Sequence, residues 1–171
     1  MEKVAVLSKS KSKTPEIYIL ILLVCVEAFC AIYGGISLIN DPTGESIHLS
    51  GKLLQGSVFP DYLIPGIVLF LLLGFFPLFL IFPLIFKPRW PGIDKLNIYP
   101  GYHWAWTYTL YTAIVLIAWI NIQIMFMGPN TMIKSMFSLA GVIILIFTLM
   151  PRVKRYYRVT SHAHRHMVEK K

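Results

Sequence analysis

Apolar residues along this chain gather into long unbroken runs, not into alternating strands or narrow amphipathic stripes. Four runs stand out, at about 17–39, 63–86, 104–127 and 132–150. A helix needs about 20 predominantly apolar residues to cross a hydrocarbon core ~30 Å thick. The first three runs reach that length and the fourth is a little short. The pattern predicts an all-α membrane protein, a bundle of four transmembrane helices whose even count leaves both termini on one side. It divides the chain into a mobile basic segment at 1–14, a transmembrane domain at 15–150 and a basic tail at 151–171.

The polar stretches between the runs carry turn chemistry. Thr14, Pro15 and Glu16 form a helix-start signal: a capping side chain, a proline in the first turn and a carboxylate near the positive dipole end. The loop between the first two runs, NDPTGESIHLSGKLLQGSVFPDY at 40–62, is the longest on its side of the bundle. Its N-D-P-T-G opening predicts a tight turn, and the alternation from Ser46 to Ser50 suits a short strand or hairpin. Phe59 and Tyr62 are expected to pack over the third and fourth spans, near Asn121 and Gln123. Within the second run, Gly74, Pro77 and Pro83 weaken the helix, and a bend is expected near Gly74 and Pro77. The GPN at 128–130 is a short connection that makes the last two spans an antiparallel pair.

Charge then orients the bundle. The net charge of +8 would suit a nucleic-acid binder if it were spread over a soluble surface, but it is not. Of 16 Lys and Arg, all but Lys52 and Lys134 lie in the first 13 residues, in the 87–95 connection or beyond residue 151. That is the positive-inside distribution. It places both termini and the second connection in the cytoplasm and predicts a multi-pass protein of the cytoplasmic membrane. Overall 56% of residues are hydrophobic and 14% charged, against about 45–50% and about 25% in soluble domains. The first run exceeds the 7–15 apolar residues of a signal peptide and no A-x-A-like site follows it, so it reads as an uncleaved span.

One residue inside the apolar runs changes the picture further. Glu27 stands in LVCVEAFCAIYGG, about ten residues into the first span and near the bilayer midplane. A charge there costs about 2.5–3.5 kcal/mol on insertion scales, and no Lys, Arg or His lies at that depth to offset it, Lys134 being at the very start of the fourth run. The sequence therefore predicts a protonated or proton-sharing Glu27 facing the bundle interior. Cys30, Ala31, Gly34 and Gly35 follow at helical spacing and are all small. Thr112, Trp119, Gln123 and Ser138 are the polar candidates to share an intramembrane site with it, together with the Gly74 and Pro77 bend. Two readings follow. In one, Glu27 is a neutral hydrogen-bond donor that locks helices together, worth about 1 kcal/mol. In the other, it is a proton-coupled or ligand-binding carboxylate, the pattern of a midplane acid beside a Gly- and Pro-interrupted helix.

Other chemistry is sparse. His162, His164 and His166 would share one face of a strand and form a weak candidate metal site; otherwise they belong to a solvated basic tail. Cys25 and Cys30 lie about 140° apart around a helix and do not pair. There is no C-x-x-C, no phosphate-binding glycine loop and no nucleophile–histidine–acid arrangement, so no cofactor and no catalytic residue are assigned. The expected partners are the lipid bilayer, anionic headgroups at the basic tail and a membrane-protein partner or second copy, not nucleic acid.

Several motifs together carry a resemblance: Glu27, Gly34-Gly35, Asp41-Pro42-x-Gly44, Phe59-x-Asp61-Tyr62-x-x-Pro65-Gly66, Trp119 and Gln123. Over roughly residues 20–150 the chain resembles a group of small prokaryotic four-span membrane proteins. The resemblance implies a four-helix membrane bundle with an outside loop between spans one and two. It brings no activity, substrate or functional residue. Small multidrug transporters also have a first-span glutamate but are shorter and lack the long first loop. The expectation is thus a non-enzymatic bundle or membrane-complex subunit. The alternative is a proton-linked transporter or lipophile-binding protein using Glu27, and a membrane enzyme comes third.

Overall fold

The computed structural model describes residues 13–47, 49, 54, 59–90, 92–127 and 132–159. Among these residues the chain is helical and contains no strand. Helix α1 spans Pro15–Asn40, α2 Leu63–Phe86, α3 Trp104–Met127, α4 Met132–Leu149 and α5 Pro151–Tyr157. Short 3-10 turns occupy Glu45–Ile47 and Ile93–Leu96. Helices α1, α2 and α3 are long and apolar enough to cross a membrane, and a fourth crossing is counted if α4 and α5, bent by 62° about Met150, form one span. The tri-histidine tail, the GPN connection, most of the N-terminal segment and most of the 48–58 stretch lie outside the described residues.

Helices α1 and α2 meet where their side chains vanish. A Cβ on Gly35 would come within 2.7–2.8 Å of Phe70, one on Gly66 within 2.7 Å of Leu38, and one on Gly74 within 2.7 Å of Ile32. Pairing 35 with 70, 38 with 66 and 32 with 74 describes an antiparallel register held by backbone proximity. In lipid, where helices gain no hydrophobic drive toward each other, such close van der Waals contact is what associates them. The buried stripe of α1 runs through Ile17, Leu20, Val24, Glu27, Ala28, Ala31, Gly35 and Leu38. Cys30, expected on that stripe, is exposed. It sits three residues beyond Glu27, at the lipid-side edge of a stripe whose centre runs through Ala28 and Ala31.

Within α2, residues Leu69–Phe75 form a π-helix, and Leu63–Phe86 continues through it as one helix. The bend expected at Gly74 and Pro77 is thus replaced by a widened turn. Pro77 has no amide hydrogen, and just ahead of it the Phe76 amide reaches back five residues to the Leu71 carbonyl. A π-turn absorbs one extra residue without breaking the helix.

At the loop end, Gly44 takes a left-handed φ of 79°, as the N-D-P-T-G turn requires. The Asp41 carboxylate accepts hydrogen bonds from the Thr43 amide and hydroxyl and from the Ser46 amide. These bonds hold its carboxyl below the ordinary aspartate range. The Tyr62 ring lies where a Gly44 Cβ would sit, 2.9 Å away, and the Tyr62 amide donates to the Pro42 carbonyl at 2.9 Å. Tyr62 packs with Leu38, Leu54, Phe59 and Leu69. The expectation that Phe59 and Tyr62 cover the third and fourth spans is therefore corrected: the loop folds onto the ends of α1 and α2. The segment Glu45–Ile47 is a 3-10 turn in place of the expected strand or hairpin, because the Ile47 and Leu49 amides both return to the Gly44 carbonyl. Thr14 occupies the N-cap of α1, but its carbonyl, not its hydroxyl, receives the Ile17 amide.

The opposite end is an aromatic layer. Trp90 stacks on Trp104 at 5.4 Å and on Phe79 at 5.8 Å, and Tyr102 lies against Trp106 at 4.5 Å. Amphipathic rings of this kind suit the headgroup level. The Tyr157 hydroxyl donates to the buried Leu84 carbonyl at 2.7 Å, and the Trp106 indole donates to the Thr148 carbonyl at 2.7 Å.

Two substitutions test this packing, with two more as controls. Gly35→Ala is expected to lower the melting temperature in detergent, with overpacking costing about 1–3 kcal/mol. Gly92→Ala and Gly101→Ala, where an added Cβ meets nothing within 4 Å, should leave it unchanged. Tyr157→Phe keeps the ring but strands the Leu84 carbonyl, and a destabilisation of about 1–3 kcal/mol in the same assay is expected.

Candidate functional site

The candidate site is centred on Glu27, which is 3% exposed on the inner stripe of α1. It lies among residues chosen for smallness: Ala28 and Ala31 are buried beside it, and one to two turns further on Ile32 and Gly35 touch Gly74 and Phe70 of α2. Extending the antiparallel register from those contacts brings Glu27 level with the turn of α2 that begins at Pro77. On the other side, the Glu16–Arg152 ion pair at 2.5 Å ties α1 to the start of α5. Helix α4 thus runs antiparallel to α1, and counting eleven residues from each partner of that pair brings Glu27 near the level of Gly141. A Cβ on Gly141 would in turn lie 2.9 Å from Ile117 and 3.4 Å from Leu116 of α3. Small residues therefore bring α1 close to α2, and α4 close to α3, on the two sides of the helix that carries the carboxyl.

Both carboxyl oxygens of Glu27 are buried and have no hydrogen-bond partner among the described residues. The indole nitrogen of Trp119 is in the same condition. Buried polar atoms without partners are uncommon in folded proteins, and each calls for an explanation.

The sequence-derived candidates do not converge on Glu27 as hydrogen-bonding partners. Thr112 is buried, but its hydroxyl donates to the Tyr108 carbonyl of its own helix at 3.0 Å. Thr109 and Thr148 do the same toward Ala105 at 2.8 Å and Ile144 at 2.7 Å. A threonine in a helix satisfies itself against the carbonyl four residues back, and that local bond wins over a longer reach to α1. Asn121 likewise donates to the Ile117 carbonyl at 2.7 Å. Ser138 and Gln123 are half-buried. Gly74 and Pro77 are buried in α2, Gly74 against Ile32. The weak metal candidates His162, His164 and His166 lie outside the described residues. Among the described residues no group of three His, Cys, Asp or Glu side chains is placed to hold a metal.

A second polar cluster, at the aromatic end, was not singled out from the sequence. The His103 Nε2 lies 3.0 Å from the Pro88 carbonyl, and its Nδ1 accepts the Ala105 amide at 3.2 Å. Those two bonds fix the neutral Nε2–H tautomer, with the imidazole acting as the N-cap of α3. Burial depresses the His103 pKa, and the nearby Lys87 ammonium opposes protonation further, while Asp94 and the Pro88 carbonyl partly counter both. The Trp104 indole donates to the same Pro88 carbonyl at 3.1 Å. Asn97 binds the Tyr102 carbonyl and accepts from the Thr107 hydroxyl. The available signal was the order of residues: a histidine directly before a helix start, after a proline-rich turn.

Comparison with known proteins gives no match: no family model fits the sequence, no curated protein aligns with it and no solved structure matches it at a significant level. The resemblance to small prokaryotic four-span membrane proteins therefore rests on the sequence motifs alone.

Proposed function

We propose that this chain is a non-enzymatic multi-pass protein of the cytoplasmic membrane, with both termini and the α2–α3 connection in the cytoplasm, and that Glu27 is its working group. In this reading Glu27 takes up and gives up a proton as a small lipophilic molecule, or the proton itself, is bound or moved through the bundle. One observation favours it over a purely structural role. A structural Glu27 should donate a hydrogen bond across a helix interface, and here both carboxyl oxygens are buried without a partner among the described residues. An intramembrane acid kept at that cost is by default a functional candidate.

The reading of the chain as a static bundle or complex subunit has its own support. The α1–α2 contact, with would-be Cβ atoms within 2.8 Å of the facing helix at Gly35, Gly66 and Gly74, leaves little room for these helices to rearrange. In that case Glu27 remains a neutral polar group and the outer faces, such as Leu22, Phe29 and Tyr33 on α1, meet lipid or a partner.

Glu27→Gln separates the two. The amide keeps shape and donor capacity and removes titration. Melting temperature and proton flux after a pH jump are measured on the same proteoliposome-reconstituted protein. The proposal expects a folded variant with parental melting temperature and flux reduced to the level of protein-free liposomes. Equal flux in parent and variant would assign Glu27 to the scaffold.

A further inference from the structure

Besides the Tyr157 hydroxyl on Leu84 and the Arg152 pair with Glu16, helix α5 and its exit are fastened to the bundle by a small set of backbone bonds at residues 101–103. The backbone amide of His103 donates to the Tyr157 carbonyl at 2.8 Å. The Val159 amide donates to the Gly101 carbonyl at 2.9 Å, and Tyr102 pairs with Arg158 in an antiparallel bridge. The chain leaving α5 is thus stitched alongside residues 101–103. The imidazole of His103 holds that segment in turn. It donates to the Pro88 carbonyl, accepts from the Ala105 amide and stacks on Trp104 at 5.4 Å. The connection from α2 and the start of α3 meet at this ring, and the exit from α5 meets the backbone of the same residue.

We propose that His103 is a pH-operated latch: neutral, it fastens α5 and the residues after it to the connection between α2 and α3, and protonated, it lets them go.

The chemistry follows from the two ring nitrogens. A second proton must go on Nδ1, the atom that now accepts the Ala105 amide. Acceptor becomes donor, two N–H groups face each other, and α3 loses its cap. The new cation also sits at the positive end of the α3 dipole, where a positive charge is disfavoured. The surrounding charges are mixed. Lys87, at the end of α2, opposes protonation, and its ammonium lies 3.3 Å from the centroid of the Tyr156 ring. Asp94, in the Ile93–Leu96 turn, favours protonation. From α5 and its exit come Lys154, whose ammonium lies 5.7 Å from the Tyr102 ring centroid, and Arg158, both cationic. Asp94 outweighs Lys87, so it is burial, not charge, that disfavours the cation, and the protonated ring is better accommodated once the segment has moved away and water reaches it.

The sign of the pH dependence is fixed by that difference. His103 in the fastened state binds its proton less readily than a free histidine, whose pKa is about 6.5. The fastened state is therefore fully held above that value and loses its advantage as pH falls below it. A second titratable tie, the Glu16 carboxylate paired with Arg152, must be separated from the first.

The test is amide hydrogen exchange across residues 151–159 of the full chain in lipid nanodiscs, from pH 8 to pH 5, each rate normalised to the chemical exchange rate at that pH. Protection should fall reversibly on acidification in the parent and in Glu16→Gln. His103→Asn keeps a cap acceptor without a titratable ring, and His103→Gln keeps a donor at the reach of Nε2; both should hold protection constant over the range. A parent with constant protection, or a His103→Asn variant that loses protection with the parental pH profile, overturns the proposal. Should both variants be unprotected at every pH, nitrogen NMR of the parent's imidazole decides. An Nε2–H tautomer at pH 8 that converts to the cation in step with the loss of protection supports the latch. An Nδ1–H tautomer, or a conversion out of step, refutes it.

Discussion

The carbonyl of Leu84 has no amide to receive, because the residue four positions on is Pro88, and much of the aromatic end of this protein follows from that. In hydrocarbon or at its edge an unpaired backbone group costs several kcal/mol, so another part of the chain must supply a donor. Tyr157 supplies it, and to do so α5 must turn by 62° out of the line of α4 and lie across the ends of α2 and α3. The carbonyl of Pro88 itself then serves as the common acceptor for His103 and Trp104. Proline within α2 works the same way: Pro77 withholds an amide, and the chain answers with a wide turn in place of a break.

Set against this thorough pairing of backbone groups, the unpartnered carboxyl of Glu27 stands out. Thr112, the hydroxyl expected to meet it, is committed to its own helix. The bundle thus keeps an acid buried on the same stripe as Ala28 and Ala31, with its polar atoms uncommitted among the described residues. That condition is what a group needs if its partner is transient.

The helices were legible in the sequence because a spanning run has few alternatives: their ends fall within two residues of the apolar runs. The burial side of Glu27 was legible from the small residues around it, yet Cys30 was misassigned to the buried stripe, since smallness alone does not fix an angle around the axis. Thr112 illustrates a different limit. Depth can be read from residue counts, but whether a hydroxyl turns to its own carbonyl or to a neighbour is decided by local geometry. The loop's seat on α1 and α2 was hidden because it depends on the Tyr62 ring filling the space left by Gly44. The His103 cluster was hidden because its main acceptor is a backbone carbonyl, which has no letter of its own in the sequence.

The wide turn in α2 has a consequence for the side of the protein that meets lipid. On an unbroken α-helix, the outward directions of Leu63, Ile64 and Ile67 and of Phe79, Phe82 and Phe86 would differ by about a quarter turn. A π-turn delays the helix by about one residue, close to 100°, and cancels that drift. The two halves of the span are thereby brought into phase, so one continuous greasy edge runs the height of the bundle. Read this way, the π segment resembles an accommodated one-residue insertion. It preserves the outline that the membrane sees while Pro77 and the glycines are set where α1 requires them.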